Sequence, residues 1–121
     1  MPRKPLVYLA SPYSHPSQDV RQQRFERVSQ IAAQILLDDY VLPFSPIAHS
    51  HPIAVYGQML EAMTNAWAAW QELDIAFIDR CDAIVVVQLD GWDKSVGVAA
   101  EIDYARSRSM AVIYFNPESM P

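Results

Sequence analysis

Two acidic side chains, Glu101 and Asp74, have apolar neighbours in the sequence and are the candidates for carboxylate chemistry. Ala83-Ile84-Val85-Val86-Val87 is an unbroken, β-branched run bounded by polar residues, which predicts a strand covered on both faces of a parallel sheet. A loop over Gln88–Ser95 follows, and Val96–Arg108 reads as a helix. Glu101 lies in its first two turns among Val98, Ala99, Ala100 and Ile102, just beyond the carboxyl end of a central strand, where open α/β sheets bind ligands. The positive end of the helix favours its ionised form, and an ionised carboxylate beside a dry crevice is a candidate nucleophile. An exposed Glu near a helix start fits the same spacing, so both readings stand. Asp74 borders the stripe Ala66, Ala69, Trp70, Leu73 and Phe77, with Trp70 one turn before it and Ile78 one turn after. An acid at such a face is costly unless paired or used. A surface Asp facing Arg80 or a neighbouring strand is the alternative.

Other polar residues cluster in the loops. Ser11-Pro12-Tyr13-Ser14-His15-Pro16-Ser17 is dense in hydroxyls and prolines. Asp90 and Gly91 open the turn that follows the Val-rich strand, and Gly91 and Gly97 bracket the helix entry, where tight turning or close ligand approach calls for glycine. His49-Ser50-His51 lacks the third ligand and the helical spacing of a metal site, so no metal is assigned. A polar loop lining a small-molecule pocket is the better reading, beside one of unpaired surface histidines.

The chain that must position these groups has 121 residues, 51% of them hydrophobic and 19% charged, as expected for one globular domain over residues 1–121. A net charge of −5 and a pI near 4.9 argue against binding a nucleic acid polymer. Cys81 is alone, which fits a reducing compartment. No signal peptide is read at Met1–Pro5 and no apolar run would span a bilayer, so a cytoplasmic protein without a membrane partner is expected.

Four strands are read. The first is Leu6–Ala10, the second Tyr40–Phe44 at an edge because of Pro43, the third Ala83–Val87 and the last Met110–Phe115. Asp19 is the expected N-cap of a first helix whose stripe is Val28, Ile31, Ala32, Ile35 and Leu36, with Arg21, Arg24 and Arg27 opposite. Ser45–Ala54 reads as a long, rather apolar loop. Tyr56–Asp79 reads as helix broken near Thr64-Asn65, its Met59, Met63, Trp67 and Trp70 bulky enough to suggest an oligomer interface. Asp103 is expected on a solvated face, paired with Arg106. The order predicts an α/β fold with a parallel sheet and right-handed crossovers, the loops after strands one and three flanking the switch-point crevice.

Four stretches together carry a family resemblance: Tyr8-Leu9-Ala10-Ser11-Pro12, Glu72–Ile78, Cys81–Val87 and Gly97–Ala105. In order and in content the chain resembles the nucleoside 2-deoxyribosyltransferase-like superfamily, which includes the transferases and the 2'-deoxynucleoside 5'-phosphate N-hydrolases. The resemblance implies a flavodoxin-like (Rossmann-like) three-layer sandwich with a four- to five-stranded sheet. It also implies a homodimer and cleavage of an N-glycosidic bond without a cofactor. The family's nucleophile falls on Glu101, its acid at the leaving base on Asp74 and its first-strand tyrosine on Tyr8, which would orient Glu101. Six residues before the nucleophile the transferases carry Asp and the nucleotide hydrolases Ser; here that residue is Ser95, with Lys94 beside it and a helix start behind, an anion cradle. The first loop departs from the hydrolase pattern, with Pro12 and Ser14 where those enzymes carry Ser and Arg.

The substrate-contacting set on this reading is Ser11, Ser14, His49, His51, Asp90, Gly91, Lys94, Ser95 and Gly97. The expected reaction is hydrolysis of the base–sugar bond of a nucleoside 5'-monophosphate through a glycosyl ester on Glu101. Base exchange by a transferase and a non-catalytic nucleotide sensor are the alternatives. A P-loop ATPase is disfavoured because Lys94-Ser95 lacks the preceding glycine spacing.

Overall fold

The computed structural model describes residues 3–59 and 67–119. Four parallel strands, β1 (Leu6–Ala10), β2 (Leu42–Phe44), β3 (Ala83–Val87) and β4 (Ala111–Phe115), form one sheet in the order β2-β1-β3-β4. Four helices connect or follow them: α1 (Gln18–Asp38), α2 (Pro46–Met59), α3 (Trp67–Ile78) and α4 (Val96–Ser107). This is the flavodoxin-like arrangement, and its switch point lies between β1 and β3, whose loops run to opposite sides.

The pleat of the central strands sorts the core. Val7, Leu9, Ala83 and Val87 face Ile31 of α1, with Ala32 and Ile35 packed beside it. Tyr8, Ala10 and Ile84 face the other way, against Ile78 of α3 and Ala105 of α4. Because side chains alternate along a strand, Tyr8 is committed to the α3–α4 face as soon as Val7 and Leu9 face α1. Asp82 locks the start of the sheet: its carboxylate accepts from the Leu6 amide at 2.7 Å, and its own amide donates to the Leu6 carbonyl at 2.7 Å.

Several local expectations are corrected. The N-cap of α1 is Ser17, whose hydroxyl accepts from the Val20 amide at 3.3 Å; Asp19 lies in the first turn. Leu36 is 55% exposed, because the sheet ends before the last turns of α1 reach it. The stretch read as a loop from Ser45 is helix α2. Ser45 accepts from the Ala48 amide at 3.1 Å and Pro46 takes the first helical position, where its missing N–H costs nothing. Pro52 lies inside that helix, and its ring is what made the segment read as irregular. The second strand is shorter than expected, Leu42–Phe44, and occupies the predicted edge. Asp103 is exposed with no ion pair to Arg106, which instead donates to the Tyr114 hydroxyl at 3.0 Å. The expected break at Thr64-Asn65, and Met63 and Ala66, lie outside the described residues.

Candidate active site

The site forms at the carboxyl ends of β1 and β3, between α2, α3 and α4. A cavity of about 510 Å³ opens there, lined by the loop after β1 (Ser11, Tyr13, Ser14), one face of α2, Asp74 of α3 and the first turns of α4. That volume suits a ligand the size of a nucleotide.

Tyr8 is fully buried beneath the cavity, and its hydroxyl donates to the Glu101 carboxyl. Glu101 and Asp74 both line the cavity. A strand and two helices far apart in sequence thus bring three oxygen-bearing groups into one cluster.

Electrostatics here run against one sequence expectation. Burial pushes Glu101 up to about 8, opposed by the Tyr8 hydrogen bond and reinforced by the Asp74 charge. The residue sits in the second turn of α4 rather than at its mouth, so desolvation outweighs the favourable helix end. Asp74 is pushed up to about 6, again by burial, with the Tyr8 hydroxyl pulling the other way. Burial thus favours the neutral form of both carboxyls, so the pair is expected to titrate in two steps rather than to be doubly ionised near neutral pH. Burial, then the two carboxylates, push the Tyr8 hydroxyl far above its ordinary value, so it stays a neutral donor.

The other expected contacts divide. Ser11, Ser14, His51, Lys94, Ser95 and Gly97 line the cavity. Ser11 is only 5% exposed, and its hydroxyl finds no hydrogen-bond partner among the described residues. Ser95 is the N-cap of α4, accepting from the Val98 amide at 3.2 Å. A Cβ at Gly97 would meet only the Ser95 hydroxyl, at 3.8 Å, so packing does not require glycine there and room for a ligand is what it leaves.

His49, Asp90 and Gly91 are not brought to the cavity. His49 is exposed, with its ring near those of Phe44 and Phe77 at 5.9 Å each. Asp90 and Gly91 form the turn after β3. Gly91 has φ +88°, and a Cβ on it would come within 2.9 Å of the Arg24 guanidinium, which donates to the Asp90 and Ser14 carbonyls. Arg24 therefore straps together the two loops that flank the crevice. No group of three or more His, Cys, Asp or Glu able to hold a metal occurs among the described residues.

Residues not assigned to the site from the sequence complete the wall: Tyr13, Gln71, Tyr104 and Trp70, the last of which was expected in the core stripe or at an oligomer interface. Tyr104 lies one turn beyond Glu101 on α4 and donates to Asp79 at 2.5 Å; a helical repeat from Glu101 was the signal available for it. Tyr13 bonds His51 at 2.6 Å, 38 positions along the chain, and no local pattern announces that pair.

A family model described as "Domain of unknown function (DUF1937)" matches residues 5–117. No curated protein matches the sequence. Among solved structures, a 2-desoxiribosyltransferase from Leishmania mexicana is similar, with a TM-score of 0.56 and 20% identity over 97% of this chain and 67% of that one. At that identity the likeness is one of fold: the chain has a nucleoside 2-deoxyribosyltransferase-like architecture.

Proposed function

The chain belongs to the DUF1937 family, and we propose that it cleaves the N-glycosidic bond of a nucleoside 5'-monophosphate, with Glu101 as nucleophile, Asp74 as acid and Tyr8 as the group that orients Glu101. The observation that carries this reading is the convergence of Asp74 and Glu101, the latter bonded by the buried Tyr8, at one nucleotide-sized cavity. Retaining glycoside cleavage needs that pair of carboxyls, one to attack the sugar and one to serve the leaving group.

In the reaction, a Glu101 oxygen attacks C1', and the bond to the base nitrogen breaks with its electron pair leaving on the base. Asp74 supplies the proton that the base takes. Water then attacks the glycosyl ester at C1', gives its proton to Asp74 and frees Glu101. The productive state has Glu101 ionised and the proton on Asp74. Tyr8 donates its hydroxyl proton to the Glu101 carboxyl, which favours the ionised form of the nucleophile and holds it in place.

On this reading the phosphate lies near the start of α4. Lys94 and the first amides of α4 favour an anion, and the Ser11 hydroxyl has capacity to spare. Base exchange is the second reading, favoured by the likeness of fold to a 2-desoxiribosyltransferase. The reading includes a homodimer, supported by the exposed Ile113 and Tyr114 on the unpaired edge strand β4.

The test is a panel of ribo- and deoxynucleosides and their 5'-monophosphates, scored by free base released, with and without a second free base. Release from monophosphates without added base supports hydrolysis, and exchange only with added base supports the transferase. No release and no exchange from any member overturns both.

A further inference from the structure

Beside the carboxyls, the cavity wall contains a hydrogen-bonded chain that the reaction does not use. His51 of α2 is 8% exposed. Its Nε2 meets the Gln22 carbonyl oxygen of α1 at 2.9 Å, and its Nδ1 meets the Tyr13 hydroxyl at 2.6 Å. The imidazole stacks on Phe25 with ring centroids 4.3 Å apart. Tyr13 and His51 line the cavity, whereas Gln22 and Phe25 do not. The ring is thus held from three sides, which is more than filling space demands.

The donors and acceptors fix the sense of the chain. An amide carbonyl oxygen only accepts, so Nε2 carries the ring proton. Burial, then the Arg21 charge, hold His51 below its ordinary value and keep it neutral, which leaves Nδ1 as an acceptor. Tyr13 therefore spends its only proton on Nδ1. What its phenolic oxygen has left is lone pairs.

The surroundings show what that oxygen would read. On α2, Ile47, His51 and Ala54 fall at i, i+4 and i+7 and share the face that lines the cavity, with Pro46 beside them and Trp70 contributed by α3. Ser50 of α2 and Gln71 of α3 also line this part of the cavity, but Tyr13 is the polar group there whose hydroxyl is held by a buried partner, and a polar group so oriented in a partly apolar wall can recognise a flat ring by its edge. Of the anion-binding features, Lys94 and the start of α4 belong to a different element, and only Ser11 shares the loop of Tyr13.

On the reading of the site given above, we propose that Tyr13 is a specificity-determining residue that presents a hydrogen-bond acceptor to the base and selects bases bearing an exocyclic amino group, adenine and cytosine, over their oxo counterparts, hypoxanthine and uracil. Gln22, through His51, is a positioning residue that sets the direction of the Tyr13 hydroxyl. An oxo group opposite Tyr13 would place two acceptors face to face, an unpaired contact that a site built for a donor rejects.

The test is calorimetric binding of the 2'-deoxynucleoside 5'-monophosphates of these four bases to Glu101→Gln protein, which binds without turnover, with base release by the unsubstituted protein scored in parallel. The amino member of each pair is expected to bind about tenfold tighter or more, as one well-placed hydrogen bond allows. Adding Tyr13→Phe should bring the ratio to about one. Adding Gln22→Leu, which alters no cavity-lining residue, should lower it, and thermal melting verifies that each variant is folded. A ratio of one or an oxo preference before these additions, a ratio that survives Tyr13→Phe, or no binding of any of the four overturns the proposal. Base release without an amino preference removes this inference and leaves the cleavage reading. An amino preference without base release does the reverse.

Discussion

At the scale of single residues, the account turns on two carboxyls that share a proton. The nucleophile must be ionised and the acid protonated, so cleavage should follow a bell-shaped pH profile. With groups pushed up to about 6 and about 8, kcat/KM is expected to rise as pH increases through about 6, where the pair loses its first proton, and to fall above about 8, where no proton remains for the base. A profile flat from pH 5 to 9 would contradict it. The same burial has a stability signature. The folded pKa of Glu101 lies above its unfolded value, so the folded state binds the extra proton and loses stability as pH rises from about 4.5 to about 8. Glu101→Gln should therefore raise the melting temperature at pH 8, on the order of 5 °C, and hardly at all at pH 4, where both states are protonated; an equal effect at both pH values would show that the carboxyl carries no such penalty. Asp74→Asn should slow cleavage most for bases that leave poorly, and equal slowing across bases would remove it from proton delivery. Both carboxyls were legible as acids in apolar settings, because an acid on an apolar stripe breaks a pattern. That both are pushed up was not legible, since it depends on desolvation by residues remote in the chain.

At the scale of elements, the strand runs and helix stripes could be read because their periodicity is local. Ala83–Val87 and the Val28–Ile31 part of α1 stand where pattern puts them. The misreading of α2 has a simple source. Two prolines, at 46 and 52, weigh against helix one by one, yet Ser45-Pro46 is a helix start, and only Pro52 costs the helix a donor. The Tyr13–His51–Gln22 chain joins three elements and leaves no trace in any of them singly. The entry to α4 offers a direct test at this scale. Ser95→Ala removes the hydroxyl that accepts from the Val98 amide, and should cost about 1 kcal/mol of stability. Chemical denaturation checks it, and an unchanged midpoint would mean that the cap bond carries no weight.

At the scale of the whole molecule, the strand order creates the site. Placing β1 and β3 side by side, with their following segments diverging, opens the crevice that α3 and α4 enclose with one acid each. That much follows from a β-α-β pattern and handedness. The covering of the sheet does not. Beyond α1 the face at β4 is thinly covered, leaving Ile113 49% exposed. A homodimer is expected by light scattering on that account, and a monomer at high concentration would contradict it. The most direct measurement of the central claim is the rate of free base release from the best substrate of the nucleotide panel, compared between the unsubstituted protein and Glu101→Ala. The account predicts release that falls to background in the variant while its circular dichroism spectrum is retained. Undiminished release by folded Glu101→Ala protein would contradict it.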